Sequence, residues 1–188
     1  MTRVIAGRYK GRALTVPASV TRPTSSRVRE AVLSAVDHAV GGFDDLAVLD
    51  LFAGSGALGI EALSRGADHA VLVDNDSAAV SVIRANLATL GIGNGTAVRG
   101  DVIALTQSPN PYGGPFDVVF ADPPYALGDD DAGALLARLA AGGWLALGAL
   151  VVLERSAKSQ PQWPADYSGV KKRTYGDTAV WYGRFEVT

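Results

Sequence analysis

The chain has no cysteine and only two histidines, His38 and His69. Without cysteine there are no disulfides, thiolate zinc sites or cysteine nucleophiles. Two histidines are too few for a histidine-built metal site, so no metal is expected. No apolar run reaches the roughly 20 residues of a membrane-spanning helix. The opening Met1-Thr2-Arg3-Val4-Ile5-Ala6-Gly7-Arg8 lacks the apolar core of a signal peptide. Repeats and low-complexity segments are missing as well. The expectation is a soluble cytoplasmic protein, monomeric and away from membranes.

Residues 1–29 also lack any acid, and their seven bases give that stretch a charge of +7. Residues 30–154 hold sixteen acids against four bases, and residues 155–188 hold six bases against three acids. The net charge of −2 therefore hides a basic head on an acidic body. Such a head suits a polyanion such as nucleic acid; the alternative is a solvated surface arm. With 188 residues, 48% of them apolar, the chain can build one full domain and a small appendage.

The β-type runs Arg3-Val4-Ile5 and Ala13-Leu14-Thr15-Val16 flank Gly7-Arg8-Tyr9-Lys10-Gly11-Arg12, which predicts a hairpin displaying Arg8, Tyr9, Lys10 and Arg12 at its tip. Residues 1–22 are read as this extension and 23–188 as the main domain. Thr24 or Ser25 is placed to cap a helix from about Ser26 to Val40. Strands are predicted at 47–51, 70–73, 96–99, 116–121 and within 144–153, with helices at 57–64, 77–90 and about 131–140 between them. Two more β runs, 169–175 and 179–187, flank Gly176-Asp177-Thr178 and predict an antiparallel hairpin that closes the sheet. The pattern is an α/β, doubly wound, mostly parallel Rossmann-like sheet.

The first strand leads into Asp50-Leu51-Phe52-Ala53-Gly54-Ser55-Gly56-Ala57-Leu58-Gly59, and Asp74 ends the next strand twenty residues after Gly54. Gly54, Gly56 and Gly59 fit the nucleotide-binding G-x-G-x-x-G, with Asp74 placed for ribose hydroxyls. Asp50, four residues before Gly54, favours S-adenosylmethionine (AdoMet) over a nicotinamide dinucleotide. AdoMet carries an ammonium and a sulfonium, whereas a pyrophosphate here would meet a carboxylate. Asn75 is expected near the adenine ring. Asp101, followed by Val102, suits either the adenine amine or a helix N-cap.

Asp122-Pro123-Pro124-Tyr125 leaves the carboxyl end of the 116–121 strand, where ligands of such sheets bind. A nucleobase amine is conjugated with its ring and is a poor nucleophile. The Asp122 carboxylate and the Pro123 carbonyl can accept its two N–H bonds and aim the lone pair at a methyl group. Prolines hold such a loop extended, and Tyr125 offers a face on which a base can stack. Asp122 can also take up the proton. The four residues serve guanine N2 and adenine N6 equally. An adenine-N6 methyltransferase on DNA or RNA therefore stays open, as does a non-catalytic RNA-binding protein; a nicotinamide oxidoreductase is more distant. Asp129-Asp130-Asp131 is read as a helix start rather than a metal site.

Arg3-Val4-Ile5-Ala6-Gly7 with Gly11-Arg12, Thr21-Arg22-Pro23-Thr24 and Arg27-Val28-Arg29-Glu30-Ala31 resemble the N-terminal signature of the RsmD family. The 50–56 stretch with Gly59 and Glu61 resembles its cofactor motif, and residues 122–125 its catalytic motif. Asp74 stands where relatives often carry Glu. The resemblance implies a class I AdoMet-dependent methyltransferase fold with a seven-stranded sheet. It also implies methylation of guanine N2, at guanine 966 of 16S ribosomal RNA, on small-subunit assembly particles with ribosomal proteins. Arg8, Lys10, Arg12, Arg22 and Arg27 are the expected RNA contacts. Removing residues 1–20 is expected to abolish methylation and leave AdoMet affinity intact.

Overall fold

The computed structural model describes residues 2–17 and 26–186. Arg22, the boundary at 22/23 and the capping candidates Thr24 and Ser25 lie outside the described residues. The elements are β1 (Thr2–Arg3), β2 (Ala13–Leu14), α1 (Ser26–Val40), β3 (Ala47–Leu51), α2 (Ala57–Ser64), β4 (His69–Asp74) and α3 (Ser77–Leu90). There follow β5 (Gly95–Arg99), α4 (Val102–Leu105), β6 (Phe116–Ala121), α5 (Asp129–Ala141), β7 (Leu145–Ser156), β8 (Tyr167–Tyr175) and β9 (Thr178–Phe185).

Seven strands form one sheet in the order β5-β4-β3-β6-β7-β9-β8. All neighbours from β5 to β7 pair in parallel, and β9 inserts antiparallel between β7 and β8. The C-terminal hairpin thus contributes one antiparallel strand to an otherwise parallel sheet. Strand order reverses between β3 and β6, and such a switch point opens a crevice at the carboxyl ends of the strands.

Alternation along the central strands fills two cores. Val48, Leu72, Phe120 and Val152 face Leu33, Val36, Ile60 and Ile83 of α1, α2 and α3. Leu49, Val73, Val119 and Val151 face Leu135, Leu136 and Leu139 of α5, with Trp144. Burial on both faces is why these strands read as nearly unbroken apolar runs.

β1 and β2 pair antiparallel, Thr2 opposite Leu14 and Arg3 opposite Ala13. Val4 and Leu14 of this hairpin are buried in the core shared with α1, α2 and α3. Tyr9 was expected on display at the tip. It is instead half-buried and packs against the same core, because the tip is bonded down onto α2. Arg8 N–H donates to the Ser64 carbonyl (2.7 Å), Tyr9 N–H to Ser64 Oγ (3.0 Å), and Ser64 Oγ–H to the Ala6 carbonyl (2.6 Å).

Candidate active site

β3 ends in a loop of unusual backbone. Phe52, Gly54 and Gly56 have φ of +60°, +57° and +77°, a left-handed region that glycine enters freely and phenylalanine rarely. Gly59 is required for a different reason. A Cβ there would lie 2.7 Å from Leu72 Cδ2 and 3.2 Å from Asp50 Oδ2. The missing side chain lets α2 settle onto β4 and lets Gly59 N–H donate to Asp50 Oδ2 at 2.9 Å. Gly56, the residue before α2, offers no side-chain cap. The buried Asp50 therefore serves as a remote cap for one of the orphan N–H groups at that helix start.

Asp74, at the end of β4, accepts Gly54 N–H on Oδ2 (2.8 Å) and Asp76 N–H on Oδ1 (2.9 Å). It is half-buried and fixes the loop against β4, while Asn75 beside it is exposed. Asp101 caps α4 and accepts the N–H groups of Ile103 (2.8 Å) and Ala104 (3.0 Å) on Oδ1. Val102 next to it is buried. Ala53 N–H donates to the Val73 carbonyl (3.0 Å) and Gly100 N–H to the Asp74 carbonyl (2.9 Å), which draws the ends of β3, β4 and β5 around one rim. Ser55 lies half-buried on the loop between Gly54 and Gly56.

Asp122 leaves β6 on the other side of the switch point. Its N–H approaches the Leu51 carbonyl at 3.4 Å, so it stands beside the strand end that begins the glycine loop. Pro123 is buried, and Pro124 and Asp122 are exposed. Tyr125 is 68% exposed, an open ring available for stacking. The turn bond from Leu127 N–H falls on the Pro124 carbonyl (2.9 Å), not on that of Pro123.

The site is anionic. Burial, first of all, drives the Asp50 carboxyl up to about 8. The Gly59 N–H opposes that rise, and the Asp122 and Asp74 carboxylates add to it. The Asp74 and Asp122 carboxylates favour a cationic ligand and oppose a pyrophosphate, and such a ligand would favour loss of the proton from Asp50 as well. The sulfonium and ammonium of AdoMet fit this donor set, and a dinucleotide does not.

The basic residues of the head lie elsewhere. Arg8 sits at the C-terminal end of α2, with its guanidinium 5.6 Å from the Tyr9 ring centre. Arg12 reaches the Thr89 carbonyl (3.4 Å) near the end of α3. Both helices begin at the reaction edge, so Arg8 stands about 12 Å from it along the eight residues of α2, and Arg12 about 20 Å along the fourteen of α3. Lys10 is exposed on the same tip, and Arg27 is exposed on the first turn of α1.

Three further residues shape the site; of these Glu61 was noted only as part of the cofactor-motif resemblance, and Asn86 and Arg155 were not singled out from sequence. Glu61, fully buried in α2, accepts Ile5 N–H and faces Arg29 at 4.0 Å and Arg65 at 3.8 Å. Asn86 of α3 donates to the Ser55 carbonyl of the glycine loop (3.0 Å). Arg155, buried at the end of β7, donates to the Leu127 carbonyl and to Asp129 Oδ1 (3.3 Å), anchoring the chain just beyond the proline loop. Asp129 also accepts Gln160 N–H at 2.7 Å, and these bonds, that one foremost, hold its carboxyl below the ordinary range. The aspartate run thus starts α5. Among the described residues no group of His, Asp and Glu is arranged to hold a metal ion.

The family described as conserved hypothetical protein 95 matches residues 2–184. Ribosomal RNA small subunit methyltransferase D of Escherichia coli K12 is 38% identical over 179 residues, covering 94% of this chain and 86% of that one. A solved structure of the E. coli protein yhhF superposes with a TM-score of 0.86 at 36% identity, covering 100% of this chain and 99% of the other. The fold is shared with the Thermus thermophilus 16S rRNA N2 G1207 methyltransferase RsmC, solved with AdoMet and guanosine. That TM-score is 0.66 at 23% identity, over 90% of this chain and 45% of RsmC.

Proposed function

The chain belongs to the conserved hypothetical protein 95, or RsmD, family of AdoMet-dependent ribosomal RNA methyltransferases, and on that premise we propose that it methylates N2 of a guanine, guanine 966, in 16S ribosomal RNA. The observation that carries the chemistry is the placement of Asp122 beside the β3 end, next to the loop that Asp50 and Asp74 hold. An amine gripped at Asp122 then faces a cofactor seated over Gly54 and Gly56.

AdoMet, when bound, supplies an electrophilic methyl on a sulfonium. The residues do the rest. Asp50 and Asp74 provide negative charge near the ammonium and the ribose, and Asn75, Asp101 and Val102 border the adenine. Asp122 and the Pro123 carbonyl accept the two N–H bonds of the guanine amine, drawing it toward pyramidal geometry. Tyr125 stacks on the base. Asp122 would also take up the proton that the amine loses when it is methylated. Most of the rate gain is positional.

Arg8, Lys10, Arg12, Arg22 and Arg27 contact RNA phosphates flanking the target. An arm about a helix length from the reaction edge suits a large substrate, and small-subunit assembly particles in the cytoplasm supply one. The enzyme acts as a monomer, with residues 1–22 as its RNA-binding extension. Among the described residues no helix is long and apolar enough to cross a membrane.

The test is transfer of labelled methyl to unmethylated small-subunit particles, followed by mass spectrometry of the digested nucleosides. N2-methylguanosine is expected. N6-methyladenosine would move the assignment to adenine, and absence of label would remove it.

A further inference from the structure

The C-terminal stretch, residues 155–188, carries a net charge of +3, and of its cations only Arg155 serves the reaction site. Three of its six cations, Lys171, Arg173 and Arg184, line one feature. A groove of about 290 Å³ runs between α1 and the open face of β8 and β9. Its walls include His38, Lys171, Arg173, Tyr182 and Arg184, and among the described residues no carboxylate lines it. Arg184 is fixed there. Its Nη1 donates to the Gly148 carbonyl (2.8 Å) and its Nη2 to the Ala39 carbonyl, so β9 is tied to β7 and α1 while its charge is retained. Lys171 and Arg173 are exposed, and among the described residues neither is held in an ion pair.

A smaller cavity touching Asp122 is lined by Arg29 and Val32 of α1, Val152 and Glu154 of β7, and Val180 of β9. It holds about 10 Å³ among mostly buried side chains, too little for a phosphate, so it is packed interior and not a channel. The groove uses the next positions along the same elements: Ala35, His38 and Ala39 of α1, Leu150 of β7, and Tyr182 of β9. It therefore opens beside the helix and strands that border Asp122 at their other end. Lysines on an edge strand often serve just to prevent strand pairing, but such protection needs no groove.

We propose that this groove binds the ribose–phosphate backbone of single-stranded RNA flanking the methylated nucleotide, with Lys171 and Arg173 as its phosphate contacts. The proposal rests on the ribosomal RNA reading above. It divides RNA recognition between two surfaces, the hairpin tip on α2 and α3 and this groove beside α1. Lys172 gives an internal control. It points to the opposite face, 5.0 Å from the Trp181 ring centre, and its Nζ donates to the Ala157 carbonyl at 2.9 Å.

The experiment compares the parent, the Lys171→Ala/Arg173→Ala double variant and Lys172→Ala. Binding of a 16S ribosomal RNA transcript is read by fluorescence anisotropy over a range of salt, beside AdoMet affinity and kcat at saturating RNA. In the double variant, RNA affinity should fall on the order of tenfold, and the slope of log affinity against log salt should shrink by about 1.4, roughly 0.7 per lost phosphate contact. AdoMet affinity and kcat should be unchanged, and Lys172→Ala should match the parent. A double variant with the parental slope, or an equal loss in Lys172→Ala, overturns the proposal. If the parent transfers no methyl to small-subunit particles, the functional reading fails, while the binding arm still decides the role of the groove.

Discussion

The side chain of Asn86 pairs with both backbone groups of Thr15, its Oδ1 accepting the N–H and its Nδ2 donating to the carbonyl, each at 2.9 Å. The second hydrogen of Nδ2 goes to the Ser55 carbonyl at 3.0 Å. One buried amide therefore ties the exit of the N-terminal hairpin to the cofactor loop. The basic head is not an arm that can be removed without consequence.

Loss of the head should accordingly weaken AdoMet binding, contrary to the expectation from sequence that AdoMet affinity survives deletion of residues 1–20. Asn86→Ala removes three part-buried hydrogen bonds to the backbones of Thr15 and Ser55, at a cost of about 1–3 kcal/mol. AdoMet affinity should fall severalfold by calorimetry in Asn86→Ala and further in the deletion. Parental affinity in both proteins would show that Asn86 is only a packing residue.

Asp50 should make stability depend on pH. Its carboxyl titrates near 8 in the folded chain, mainly because it is buried, against an ordinary value of 3.8. The folded state thus holds a proton that the unfolded chain has released between those limits. This contribution is fully present below about pH 4 and is lost as pH rises toward and through 8. Thermal melts without cofactor should show that decline, and Asp50→Asn, which keeps an acceptor for Gly59 N–H, should flatten it. Binding of cationic AdoMet at neutral pH should release a proton. Titrations in buffers of different ionisation enthalpy would detect it, and no release in the parent would contradict the anionic-site account.

Asp122 should matter for turnover and little for folding. It is exposed at a strand end, where truncation changes stability by no more than about 0.5 kcal/mol. Asp122→Ala should lower kcat on the order of 100-fold, the scale of one positioned polar group, with AdoMet affinity close to parental. It should also shift the Asp50 titration downward, because one neighbouring carboxylate is gone. Near-parental kcat on small-subunit particles would remove Asp122 from the reaction.

Much of this site was legible because its residues are local. Asp50, Gly54, Gly56, Gly59 and Asp74 lie within one βαβ unit, and Asp122 follows an apolar strand, so periodicity and punctuation place them. Asn86 and Arg155, and the hairpin-clamping role of Glu61, were hidden because their partners are distant in the chain. Ile5 is 56 residues from Glu61, Thr15 is 71 from Asn86, and Leu127 is 28 from Arg155. A polar residue on a half-apolar helix gives no hint of which segment will cover it. Tyr9 was misplaced for the same reason: a hairpin tip looks exposed until Ser64 is known to hold it. β9 could be read as half of a hairpin, but its position between β7 and β8 is a property of the sheet. α4, at four residues, was too short for a periodic signal.

Glu61 is the strongest test of how the head is held. Burial pushes its carboxyl up and the Arg29 guanidinium down, so both charges are costly where they are. Arg29 Nε, Arg65 Nε and Glu61 Oε2 are buried at ion-pair separations of 4.0 and 3.8 Å rather than hydrogen-bond separations. Such a cluster adds little net stability when intact, but removing one member strands the others. Arg29 also donates to the Arg3 carbonyl at 2.6 Å, and Glu61 accepts Ile5 N–H, so the cluster clamps the hairpin on both sides of Val4. Glu61→Ala should therefore cost about 3–5 kcal/mol. Tm should fall by roughly 6–20 °C at about 2–4 °C per kcal/mol for a chain of this size. Limited proteolysis should cut within residues 1–17 before the main domain opens. A parental melting curve with a protected head would mean that Val4 and Leu14 alone hold the hairpin in place.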